Sequence, residues 1–86
     1  MSSKFQVSGK QITAARDLLG MKQVELAAAA GVTEATVVNL EKGHHTPRES
    51  TLDLIREALE RRGIEFTNGD NPGVRLVKDK AIIPPS

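Results

Sequence analysis

The stretch QVELAAAAGVTEATVVNLEKG, residues 23–43, encodes two short helices joined by a tight turn. Its first eight residues are rich in alanine, the residue of highest helix propensity. Leu26, Ala27 and Ala30 fall at spacings that share one helical face. Gly31 ends this helix because it takes a positive φ at little cost. Thr33 is a good N-cap for a second helix over residues 34–41, in which Val37 and Leu40 face inward. Gly43 closes that helix. Only Gly31, Val32 and Thr33 lie between the two, and so short a turn forces the helices to cross steeply. Ala27 must then be small, because the following helix passes over it. Val32, Val37 and Leu40 plug the crossing.

Working outward, residues 1–7 read as frayed. Ser8 opens a helix with capping-box spacing to Gln11. Ile12, Ala15 and Leu19 follow at helical spacing, supported by Leu18, and Gly20 is placed to end it. Beyond Gly43 comes the polar loop Gly43-His44-His45-Thr46-Pro47-Arg48-Glu49. A fourth helix has two possible starts: Thr46 as cap with Pro47 and Glu49, or Ser50 as cap with Asp53. The second is the expectation, with Pro47 in a preceding turn. Leu52, Ile55 and Leu59 form its buried stripe, with Leu54 and Ala58 beside it. Arg61 and Arg62 suit the negative helix end, and Gly63 stops it. The apolar period then switches to alternation in Ile64-Glu65-Phe66-Thr67 and Val74-Arg75-Leu76. The turn formers Asn68-Gly69-Asp70-Asn71-Pro72-Gly73 lie between them, so residues 63–77 read as a β-hairpin. The tail, residues 78–86, reads as extended or loose.

Composition bounds the function. With 86 residues the expectation is one domain with a marginal core. There is no apolar run near the roughly 18 residues of a membrane span, and the first ten residues lack the apolar stretch of a signal peptide. Membrane association is therefore not expected, and the cytoplasm is. The chain has no cysteine, which excludes disulfides, thiolate metal sites and cysteine nucleophiles. The two histidines, His44 and His45, cannot build a structural zinc site alone. The acids are scattered and no glycine-rich phosphate loop exists, so neither catalysis, a cofactor nor a metal is expected. Net charge is only +1, with six basic and five acidic residues in 1–49 and six of each in 50–86. Any nucleic-acid binding must therefore rest on local placement of charge, doubled by dimerisation.

The pattern Gln23-x-x-Leu26-Ala27-x-x-x-Gly31-Val32-Thr33-x-x-x-Val37-x-x-Leu40-Glu41-x-Gly43, followed by Pro47 and Leu52, resembles the phage-repressor/Cro-type helix-turn-helix family, often called XRE. The resemblance covers roughly residues 9–62. It implies a mainly α fold: a four-helix phage-repressor-like core over 8–62, followed here by the C-terminal hairpin. It also implies a docking mode, with the third helix in the major groove of double-stranded DNA and the second crossing the backbone. By position, Thr33, Glu34, Ala35, Thr36 and Asn39 then face DNA, with Val38 and Lys42 at the margin.

The side chains can be read for chemistry beside that resemblance. Glu34 can accept from cytosine N4, Ala35 can touch a thymine methyl, and Asn39 can pair bidentately with adenine. Thr33 and Thr36 suit phosphates, as does Gln23 at a helix start. Lys22, Lys42 and Arg48 supply charge, with Lys10 and Arg16 at the edge. Lys22 stands where a Ser or Thr cap is expected, which weakens the cap and gains a cation. The bland reading of Glu34 and Asn39 is solvated helix surface, and of the lysines a generic charged exterior. The combined expectation is a sequence-specific transcriptional regulator, bacterial or phage-type, nucleoid-associated when bound. It would be a homodimer on an inverted repeat with half-sites about 10 bp apart. Ile64, Phe66, Val74 and Leu76 of the hairpin are the expected dimer contacts, because its strands offer an unpaired edge. The competing expectation is an antitoxin-like module that holds a toxin or other protein through the hairpin and residues 81–86. The acidic balance and Glu34 favour it.

Overall fold

The computed structural model describes residues 7–43, 48–67 and 72–77. Four helices are followed by two strands: α1 (Gly9–Leu19), α2 (Gln23–Ala30), α3 (Glu34–Lys42), α4 (Glu49–Glu60), β1 (Ile64–Thr67) and β2 (Gly73–Leu76). Chain punctuation accounts for the boundaries. The Ser8 hydroxyl accepts the Gln11 amide at 3.2 Å while Gln11 Oε1 accepts the Ser8 amide at 2.9 Å, a complete capping box. Gly20, Gly31 and Gly43, which end α1, α2 and α3, all adopt left-handed φ between 66° and 75°.

Three boundaries differ from expectation. Val7 is not frayed: it is 3% exposed and packs in the core. Val7 directly precedes the Ser8 cap and Ile12 is the fourth residue of α1, the spacing of a hydrophobic staple, a signal distinct from helical periodicity. Helix α4 starts at Glu49 with Arg48 in the capping position, so Ser50 is inside the first turn rather than its cap. Thr46 and Pro47, the other possible start, lie outside the described residues. At the other end α4 stops at Glu60, three residues short of Gly63. Arg61 and Arg62 fold back there: the Arg62 guanidinium donates to the Ala58 carbonyl at 2.9 Å and Arg61 Nε to the Glu57 carbonyl at 3.4 Å. The Ala58 bond gives a partner to a carbonyl at the helix end, while the Glu57 carbonyl also accepts the Arg61 backbone amide at 2.9 Å.

The core gathers Ile12 and Ala15 of α1, Leu26, Ala27 and Ala30 of α2, and Val37 and Leu40 of α3. Leu52, Ile55, Ala58 and Leu59 of α4 complete it with Val7 and Ile64. Leu19 and Val32 pack partly buried against this cluster, whereas Leu18 and Leu54 turn outward. The strands pair antiparallel with Ile64 opposite Leu76 and Phe66 opposite Val74. That register puts the four apolar residues on one face. The buried Gln11 side chain fastens the hairpin to α1, its Nε2 donating to the Thr67 carbonyl at 2.9 Å and the Gly73 carbonyl at 3.1 Å. The turn residues 68–71, the loop 44–47 and the tail 78–86 lie outside the described residues. Among the described residues, no helix is long and apolar enough to cross a membrane.

Candidate nucleic-acid interface

The α2–turn–α3 unit forms as its residues dictate. Gly31 N–H bonds the Ala28 carbonyl at 3.3 Å and Val32 N–H the Ala27 carbonyl at 3.0 Å, the paired closure of a Schellman turn. Thr33 follows in an extended conformation and caps α3, its hydroxyl accepting the Thr36 amide at 3.2 Å. The two hydroxyls also lie 2.9 Å apart, so Thr33 and Thr36 form one hydrogen-bonded pair at the tip of α3. Ala27 is buried beneath the crossing, as its small size requires.

Beyond this support, α3 presents an open face. Thr33, Glu34, Ala35 and Lys42 are exposed, and Thr36, Val38 and Asn39 are half-buried. Ala35, Asn39 and Lys42 recur at helical spacing along one stripe. Glu34 in the first turn is favoured by the helix dipole whether or not it meets a base. The structure thus brings the residues expected to read bases onto one surface. Lys22 and Arg48 are also exposed, each at the start of a helix. Among the described residues none of Lys22, Lys42 and Arg48 is held in an ion pair.

The start of α2 bears out the missing cap. No side chain caps its first turn; instead the Glu25 carboxylate accepts the Lys22 amide at 2.7 Å. Gln23 is engaged within the protein, its Nε2 donating to Glu41 Oε1 at 3.0 Å. Arg16, placed at the edge of the charged surface by sequence, is engaged too. Its Nε and Nη2 grip both Glu41 oxygens at 2.8 and 3.0 Å, while Nη1 donates to the Met21 carbonyl at 2.8 Å. The Glu41 side chain is only 6% exposed. Burial pushes its pKa up, but hydrogen bonds from Arg16, Gln23 and Thr13, with the Arg16 charge, hold it below the ordinary carboxylate value. The same contact raises the pKa of Arg16. Sequence reasoning missed this network. Its signal was an acid beside the inward Leu40 and a base beside the inward Ala15, two charges on the margin of apolar stripes.

Of the four hairpin residues expected in a dimer contact, Ile64 is buried within the chain at 2% exposure. Phe66 and Val74 rest partly buried against the core, and Leu76 is 37% exposed. Arg75 and Glu65 pair across the strands on the opposite face.

Two similarities accord with this geometry. A family model described as helix-turn-helix matches residues 12–66, spanning α2, the turn and α3 with most of the remaining core. Over 50 residues the chain is 44% identical to a Methanothermobacter thermautotrophicus protein named an uncharacterized HTH-type transcriptional regulator. The match covers 58% of this chain and 72% of that protein.

Proposed function

The chain belongs to the helix-turn-helix family, and from that premise we propose that it is a sequence-specific regulator of transcription acting on double-stranded DNA. The observation that carries this reading is the open face of α3, seated on a crossing that buries Ala27, Val37 and Leu40. A helix so mounted fits the major groove while α2 spans the adjacent backbone. Glu34, Ala35 and Asn39 then meet base edges. Lys22, Gln23, Thr33, Thr36, Lys42 and Arg48 meet phosphates and set the register without reading sequence.

The working form is a homodimer on an inverted repeat. With a net charge of +1 a single copy has little electrostatic pull on DNA, and a second copy doubles the local cations. The hairpin is the contact we assign, centred on exposed Leu76 and bordered by the partly open Val74 and Phe66; Ile64 supports it from within. The compartment is the cytoplasm.

The test is binding to a duplex of random sequence over a series of salt concentrations. Three phosphate-neutralising cations per copy imply a log–log slope of about −3 per protomer. An affinity indifferent to salt overturns the DNA reading. A protein that stays monomeric by sedimentation at tens of micromolar, on the order of ordinary weak-dimer conditions, overturns the dimer.

A further inference from the structure

We infer that Glu41 is a positioning residue for DNA binding: through Gln23 it fixes the start of α2 at the spacing from α3 that the phosphate contact needs. The inference rests on the DNA reading above and adds a residue that touches no DNA. Glu41 is in the last turn of α3, and Gln23 is the first residue of α2. They are 18 positions apart in sequence, yet Gln23 Nε2 reaches Glu41 Oε1 at 3.0 Å. Arg16 holds the same carboxylate from α1 and the Met21 carbonyl just before α2. One carboxylate therefore ties the three helices that meet at the proposed interface.

The geometry also orients the Gln23 amide. A primary amide nitrogen carries two protons. One is taken by Glu41, which restricts rotation of the side chain and leaves the second for another acceptor. A phosphate contact made by a side chain already held in place loses less rotamer freedom on binding. The nearly buried Glu41 carboxylate and the half-buried Arg16 guanidinium match each other, so the tie is retained at modest cost only while all its members are present.

The experiment is a double-mutant cycle read on DNA affinity, with Glu41→Gln, Gln23→Ala and the combination titrated into a duplex of random sequence. Circular dichroism first establishes that each is folded at the working temperature. Each single substitution is expected to weaken binding by up to about tenfold, the scale of a hydrogen bond involving a charged group. The double variant is expected to bind no more weakly than Gln23→Ala alone. Losses that multiply in the double variant overturn the inference, since Glu41 would then act independently of Gln23. Wild-type protein that binds no duplex at all refutes the underlying DNA reading instead. If Glu41→Gln does not fold, Gln23→Met supplies the test. It keeps the side chain's bulk without a donor, so an affinity equal to wild type overturns the inference and a loss matching that of Gln23→Ala supports it.

Discussion

At Gly9 the backbone of α1 comes so near the end of α3 that an added Cβ would lie 2.3 Å from the Leu40 carbonyl oxygen. The obstacle is backbone, which cannot swing aside, so Gly9→Ala should act as overpacking and cost about 1–3 kcal/mol in urea denaturation, despite alanine's better helix propensity. Glu41 makes a second residue-scale prediction, through pH. Its folded pKa lies below the ordinary 4.5, so its contribution to stability is present above that value and lost as pH falls through the folded value. Glu41→Gln should lower stability at neutral pH and flatten acid unfolding below about pH 4.5, followed by helical circular dichroism. The site residues differ in how readily sequence exposes them. Thr33 was legible as a cap because its role is local. Gln23 and Arg16 were legible only as polar groups near a helix start and edge. Their partner Glu41 lies 18 and 25 positions away, and no local pattern connects them.

Among the elements, the helices were readable wherever both ends carry their own chemistry. Ser8 with Gln11 and the glycines after α1, α2 and α3 place those boundaries closely. Helix α4 begins without a side-chain cap and ends on an ordinary helical residue, so capping rules misplace both its ends. The hairpin was legible from alternation, because Ile64, Phe66, Val74 and Leu76 share one side, of which Ile64, Phe66 and Val74 meet the core and Leu76 is exposed. Its attachment was not, since Gln11 reaches strands 56 and 62 positions away. Gln11→Ala should leave the helices formed apart from fraying at the Ser8 end of α1, which loses half its capping box. It should loosen the strands, because two carbonyls lose their shared donor. The cost should be about 1–3 kcal/mol, with hydrogen-exchange protection falling first at the amides of β1 and β2. Equal loss of protection across the helices and strands would show that the hairpin is not a separable unit.

For the molecule as a whole, the low net charge is what motivates the proposed action by paired copies. A nearly neutral protein gains affinity for DNA from where its cations stand, and two copies align two such faces on one side of a duplex. Leu76→Lys should therefore yield monomers in sedimentation equilibrium and weaken DNA binding, with thermal stability nearly unchanged because the residue is at the surface. The most direct test is selection of bound duplexes from a randomised library at near-physiological salt, with a Glu34→Ala/Asn39→Ala double variant alongside. An inverted repeat should be enriched by the wild type and lost by the variant, each base contact being worth about 1–3 kcal/mol of discrimination. No enriched sequence from a folded wild-type protein, or the same sequence from both proteins, would contradict base reading by α3.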